Sequence, residues 1–406
     1  MNKKLLLLLF CVFIVSIGFG VTLPILPFYA KHLDVAGVSR ETMAIHISLL
    51  TSVYALMQFI FAPFWGQRSD RVGRRPLILL GIAGSAITQV LFGFATSLGM
   101  LYVVRAVGGF LSSAALPAAT AYVSDLTTES DRSRGMAWLG TAVSLGVIAG
   151  PAFGGLTTRE DIHFTVGFVD FKIENFAPPF FLSAVLMLLI LAIAVRWLPE
   201  SLASRAVMTS SNKLAFRWRT LEGKLRLLLV LTAVAQFGLT IFEATFALYA
   251  QEKLGYGPVQ TGIVFTICGL VMAVFQTIAV GYLSNRMNAV AQIASGLSLM
   301  GIGIILLLLV RNMLLVFGVV GLLALGMALV TPNLSALISK RSGQRTGTVL
   351  GMQNAANSLG QVGGPMLGGV LFAWQPNAPY LFTGAFLVSI SLGVIWQAKS
   401  RRHYID

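Results

Sequence analysis

Glu243 is the first residue in this sequence that asks for a chemical explanation. It stands in "QFGLTIFEATFALY", residues 236–249, with no other charge in the stretch. At the centre of a bilayer an acid of this kind is expensive, about 2.5–3.5 kcal/mol on translocon scales. A carboxyl there that takes up and releases a proton is what coupling to a proton gradient requires. At helical spacing Gln236, Thr240, Glu243 and Ala247 share one face, with Phe242 and Phe246 beside it. That face is either a proton or cation site with its substrate contacts, or a structural glutamate hydrogen-bonded between helices. Arg105 poses the mirror problem, as a base inside an apolar stretch that must pair or face water. Gly108, Gly109, Ser112 and Ser113 follow it and permit close helix approach. Its charge either biases proton release from an acid and orients substrate, or packs against backbone carbonyls. The stretch "GQRSDRVGRRP", residues 66–76, sets Asp70 among Arg68, Arg71, Arg74 and Arg75.

Uncharged polar groups recur within other apolar stretches. Asn354, Asn357 and Gln361 fall on one helical face, with Gln353 alongside; such amides either bond a substrate or join helices. Tyr54, Met57 and Gln58 offer the aromatic and thioether surface that suits varied apolar ligands, or else packing against lipid. Catalytic chemistry finds no support. His32, His46, His163 and His403 are scattered, and Cys11 and Cys268 have no ligand cluster around them. No enzyme activity, metal or cofactor is therefore expected.

Composition says what must position these groups. Of 406 residues, 56% are hydrophobic and 11% charged, against about 25% charged in a soluble domain. A membrane span needs about 20 mainly apolar residues. Twelve stretches qualify: 5–30, 43–65, 76–96, 100–124, 136–156, 178–198, 226–250, 259–283, 289–310, 313–339, 347–372 and 378–398. The expected fold is an all-α membrane protein of twelve transmembrane helices. With the N-terminus placed inside, only Lys31, Arg40, Arg159, Lys172, Lys253 and Arg311 of the 29 lysines and arginines fall outside, and Arg105 falls in a span. That bias predicts both termini in the cytoplasm. The net charge of +14 is then topology with some attraction to anionic lipid, and no nucleic-acid role follows. The first 30 residues imitate a signal peptide but are too long, contain Pro24 and Pro27 and lack a small-residue cleavage site, so they read as the first span.

The spans divide into pseudo-symmetric six-helix halves, 1–198 and 226–406, joined by a polar, basic linker at 199–225. "GVIAGPAFGGL" at 146–156 and "GQVGGPMLGGV" at 360–370 repeat one pattern about 215 positions apart. Pro117 and Pro332, and Gly66 and Gly281, share that offset. The repeated residues Gly146, Gly150, Pro151, Gly154 and Gly155, with Gly360, Gly364, Pro365, Gly368 and Gly369, read as packing surfaces and hinges, since small residues let helices approach and proline weakens the ladder. Duplicated halves place a binding site near the midplane. Residues 157–177 alternate apolar and polar around Gly167 and predict a short β-hairpin outside the membrane.

These features resemble a major facilitator superfamily transporter, in the drug:proton antiporter group with twelve spans. Gly66, Asp70, Arg71, Gly73, Arg74 and Arg75 match the family's signature between spans 2 and 3. Arg105 with Gly108 and Gly109 matches its span 4 signature, and Gly146 through Gly155 the span 5 motif associated with antiporters. Gly18, Pro24 and Pro27 match the first-span pattern of drug exporters, and the seventh span is similar to that of Gram-positive multidrug and quinolone exporters. The resemblance implies a monomer in a bacterial cell membrane, exporting amphipathic or cationic small molecules against protons by alternating access. Glu243 and Arg105 would serve proton coupling. Gly66, Asp70, Arg71, Gly73, Arg74, Asp125 and Arg134 would form a cytoplasmic gate, with Asp70 also facing the N-terminus of the eleventh span, whose dipole favours an anion. The pattern is broken where Arg68 replaces an apolar residue, and in the tenth span, where Ala328 and Thr331 stand in place of an acid and a base. The alternative is a specific exporter of one metabolite, siderophore, sugar or lipid.

Overall fold

In a computed structural model, residues 3–33, 38–128, 131–158, 176–201, 223–281, 288–342 and 346–402 are described. Among them there are helices and no strands. In chain order the α-helices are α1 Lys3–Leu33, α2 Arg40–Val72, α3 Arg74–Gly93, α4 Leu98–Ser112, α5 Ala115–Leu126, α6 Arg132–Thr157, α7 Pro178–Trp197, α8 Gly223–Tyr249, α9 Pro258–Gly281, α10 Ala289–Leu306, α11 Met313–Ser342, α12 Thr346–Trp374 and α13 Ala378–Arg402. A single turn of π-helix, Ala250–Leu254, ends α8. Among the described residues eleven spans are long and apolar enough to cross a membrane, with α4 and α5 counting as one. The twelfth expected span, α12, is 29 residues long and carries the glycines and amides of the second repeat. The expected hairpin lies outside the described residues but for its ends.

Two details depart from the sequence reading. The fourth span is broken at Ser113–Ala114. Pro117 has no N–H to give the preceding turn, and two donors hold the broken turn in place. Ser113 Oγ donates to the Phe110 carbonyl at 2.8 Å, and Trp65 Nε1 of α2 donates to the same oxygen at 2.8 Å. Its counterpart Pro332 lies within the unbroken α11. The charged stretch 66–76 is mostly helix rather than loop. α2 runs to Val72, α3 starts at Arg74, and Gly73 alone makes the corner at φ 114°.

Contacts divide the chain into two compact units. The first comprises Met1–Ser39, Val53–Ser210 and Ala250–Thr266, and the second Arg40–Ser52, Ser211–Tyr249 and Ile267–Asp406. Within the first, α1 packs chiefly on α6 and α3 on α7; within the second, α8 packs on α12 and α10 on α11 and α13. Glycines set these distances. A Cβ on Gly150 would lie 2.5 Å from Gly20 Cα and 2.6 Å from the Ile17 carbonyl oxygen; on Gly360 it would lie 2.7 Å from the Ala233 oxygen. The repeated motif thus performs the same close packing in each unit, α6 on α1 and α12 on α8. Gly155 approaches Pro258 and Gly262, and Gly369 approaches Ala44 and Ser48. In the first unit Lys31 Nζ donates to Gln251 Oε1 at 2.7 Å and pairs with Glu252 at 3.7 Å, tying the π-helical turn to the end of α1.

Candidate functional site

The first unit holds Arg105 on α4, brought to its neighbours by the glycines that follow it. A Cβ on Gly109 would lie 2.5 Å from the Tyr54 carbonyl oxygen of α2, and one on Gly108 would lie 2.6 Å from Thr88 Cγ2 of α3. Because both positions are glycine, the helices close in and Arg105 is gripped by aromatic faces. Its Cζ lies 5.1 Å from the Tyr54 ring centre and 5.6 Å from that of Phe92. The residue is 3% exposed and its Nε is sealed without a partner. Among the described residues no carboxylate pairs with it. The Tyr54 hydroxyl lies 3.0 Å from Ser112 Oγ, and Gln58 Nε2 donates to both oxygens at 3.2 and 3.3 Å. Gln58 therefore joins the expected set through this network. Met57 packs its Cβ toward Gly109 instead.

Glu243 occupies α8 of the second unit. From Gly238 to Ala250 every residue is buried except Glu243, which keeps partial exposure. Among the described residues no hydrogen bond or ion pair reaches it. Gln236, two turns earlier on the same face, is also partly exposed. Thr240 lies between them yet is 5% exposed, with Oγ1 2.9 Å from the Gln236 oxygen and 3.0 Å from the Gly360 oxygen; it sits in the α8–α12 seam. Phe242 and Phe246 are fully buried, with ring centres 5.0 Å apart, so they belong to the packed core and present no free face. On α12, Asn354, Asn357 and Gln361 keep exposure on one side. Leu359, Met366 and Val370 are exposed as well, and at roughly 100° per residue they lie on nearly the opposite side. One stripe suits hydrocarbon. The amide stripe at the same depth needs water or polar ligand. Gln353 leaves that stripe, buried and donating to Ser335 Oγ of α11 at 2.8 Å.

Of the residues expected to form a gate, Asp70, Arg74 and Asp125 meet. Arg74 Nη1 bonds Asp70 and donates to Ser69 Oγ at 2.9 Å, while its Nε donates to Asp125 Oδ2 at 3.2 Å. Arg71 is exposed. The side chain of Arg134 and the first turn of α12 lie outside the described side chains. Sequence reading missed Glu200 and Ser201. The Glu200 carboxylate accepts from the backbone N–H of Arg74 at 2.9 Å and of Arg75 at 3.1 Å, capping α3. Ser201 Oγ donates to Asp125 Oδ2 at 2.9 Å. The available signal was that α3 begins after a glycine with no capping side chain of its own. Gly66 lies in the last turns of α2, where an added Cβ would only touch Pro117 at 3.8 Å. Pro151 and Pro365 lie inside their helices, and Gly146, Gly154, Gly364 and Gly368 face neighbouring helices at close range.

Membrane-length helices, glycine-packed pairs repeated in each unit, and two intramembrane charges with no counterion among the described residues are features of a polytopic membrane transporter of small molecules. The chain belongs to the Major Facilitator Superfamily, whose family model matches residues 8–360 and, in a second match, 228–404. It is 30% identical over 401 residues to multidrug resistance protein 2 of Bacillus subtilis, covering 97% of this chain and 95% of that one. It is 28% identical over 380 residues to the class B tetracycline resistance protein of Escherichia coli, covering 92% and 89%. The quinolone resistance protein NorA of Staphylococcus aureus is 24% identical over 399 residues, covering 97% of each. Among solved structures, the peptide transporter POT superposes with a TM-score of 0.79 at 15% identity, covering 98% of this chain and 95% of that chain. A bacterial homologue of the lysosomal transporter Spinster gives 0.74 at 14%, covering 98% and 96%. These likenesses are of fold. Transporters of this superfamily are not enzymes, and the relatives named are bacterial resistance proteins.

Proposed function

We propose that this protein is a proton-coupled antiporter that exports amphipathic or cationic small molecules, a multidrug exporter of a bacterial cell membrane. The observation that carries the reading is Glu243, the one partly exposed residue in an otherwise buried stretch of α8, with no counterion among the described residues. An intramembrane acid is functional by default, because an idle one would be too expensive to keep. A lone carboxyl can bind either a proton or a lipophilic cation, and competition between them gives exchange. Relatives named for resistance to unrelated compounds support the substrate class. The halves 1–198 and 226–406, linked by 199–225, would alternate access as a monomer with both termini cytoplasmic. Neither nucleotide nor nucleic acid takes part.

The test is uptake of a fluorescent lipophilic cation into inverted vesicles under an imposed pH gradient. The wild type should concentrate the dye. Glu243→Gln should abolish gradient-driven uptake and still melt within a few degrees of wild type. Full uptake by that variant would remove Glu243 from coupling. Strict selectivity for a single compound would favour the specific exporter instead.

A further inference from the structure

After Tyr249 the backbone of α8 widens into the π-helical turn Ala250–Leu254. Such turns are rare and recur at functional places. Gly255 then takes a φ of 70°, and the Tyr256 N–H donates back to the Ala250 carbonyl at 3.0 Å. The division of the chain falls at the same point. Tyr249 closes a segment of the second unit, and Ala250 opens one of the first. Each side of the turn has its own anchor. In the second unit the Tyr249 and Tyr380 ring centres lie 4.8 Å apart, and Thr245 Oγ1 lies 3.3 Å from the Tyr380 hydroxyl. In the first, Lys31 in the last turn of α1 donates to Gln251 Oε1 at 2.7 Å and pairs with Glu252 at 3.7 Å, both charged side chains partly buried. One residue more or less in a turn rotates what lies beyond it by about 100°. A wide turn between two anchors is therefore where a change of register is taken up without breaking either. A partly buried ion pair with one neutral hydrogen bond beside it holds a turn, yet water replaces it readily. The glycine seams, where backbone meets backbone, have no such exchange open to them.

We propose that Lys31, Gln251 and Glu252 form a clasp on a π-helical joint, shut in this conformation and opened in every transport cycle. The cycle is that of the export reading, on which this rests. With the N-terminus cytoplasmic, the clasp stands at the outer ends of α1 and α8, and Glu243 lies two turns before the joint on α8. While the clasp is shut, the end of α1 and the turn move as one body. Once Lys31 lets go, the turn is free to rewind, and α1 parts from it as the outer side opens.

Two measurements on the full-length protein test this. In the first, Lys31→Cys and Gln251→Cys are joined by a short, membrane-permeant bis-methanethiosulfonate, in a transport-competent background of Cys11→Ser and Cys268→Ser. The joined protein should lose dye uptake in inverted vesicles about tenfold or more and regain it on reduction, while binding tetraphenylphosphonium within about twofold of the unjoined protein. The same reagent should leave each single-cysteine protein active. Full uptake by the joined protein would make the contact a permanent tie and overturn the clasp. Loss of tetraphenylphosphonium binding on joining would overturn it too, since the link would then be deforming the site. The second measurement is amide hydrogen exchange, which needs no transport. Lys31→Met should exchange several-fold faster than wild type at residues 250–256 and no faster along the α8–α12 seam, and Lys31→Arg should restore protection. Unchanged exchange in Lys31→Met overturns the clasp even if the cysteine pair fails to fold. If the unjoined protein concentrates no dye, the export reading falls, and the exchange measurement still decides whether Lys31 holds the turn.

Discussion

Gly73 shows how much a single position can decide. Its φ of 114° is open to glycine and strained for any other residue, and an added Cβ would press on the Glu200 carboxylate. That carboxylate takes the first free N–H groups of α3, where the positive end of the helix dipole favours an anion. Gly73→Ala should therefore lower stability by about 1–3 kcal/mol, read as a drop in melting temperature of the purified protein. Glu200→Gln, which keeps the shape and loses the charge, should do less. An unchanged melt for Gly73→Ala would show that α3 is not capped this way in the membrane. Arg105 and Glu243 differ from Glu200 in kind. Glu200 accepts from three backbone N–H groups, those of Arg74, Arg75 and Ser201, whereas Arg105 and Glu243 have no counterion among the described residues, and the transport reading rests on Glu243.

Among the elements, the paired helices α1–α6 and α8–α12 carry the repeated glycine motif. The motif lets backbones touch, and van der Waals packing of that kind drives helix association in lipid. Gly150→Val and Gly360→Val should each overpack their seam, at about 1–3 kcal/mol, and each should lower the melting temperature of the whole protein. Gly140→Ala is the matched control. Nothing lies within 4 Å of a Cβ there, and alanine is the better helix former, so it should be neutral or slightly stabilising. Equal losses in all of these variants would mean that glycine acts through flexibility rather than close approach. The broken fourth span is an element with a purpose of its own, because the break sets Ser112 and the Phe110 carbonyl facing α2, where Tyr54 and Trp65 meet them.

For the whole molecule the question is what the cluster of Asp70, Arg74 and Asp125 does during transport. Asp70 and Asp125 converge on Arg74, which joins the ends of α2, α3 and α5. The position matching Asp70 in the second repeat is Asn285, so the two halves are not electrically equal. Asp70→Asn should slow transport several-fold in the vesicle assay while leaving the equilibrium affinity for the lipophilic cation tetraphenylphosphonium within about twofold, because Asp70 lies at the end of α2 rather than within the apolar part of a span. Parallel loss of binding would argue that the cluster shapes the site rather than gates it.

By itself the sequence determined the class of the fold and most of its elements. Apolar runs of span length, basic residues biased to one side and a motif repeated about 215 positions apart are local or additive properties, and lipid enforces them residue by residue. It also exposed Glu243 and Arg105, since a charge in an apolar run is visible without coordinates, and Asp70, as the lone acid among four arginines. Tertiary structure decided which polar groups stay open and which are consumed. Thr240 and Gln353 share types and spacing with open neighbours, yet one is spent in the α8–α12 seam and the other on Ser335. Glu200 was invisible because its partners lie about 125 positions earlier in the chain. The aromatic grip on Arg105 joins three helices through glycines whose reason to be glycine is the neighbour they admit. Helical periodicity tells which residues share a face, while only packing tells what that face meets.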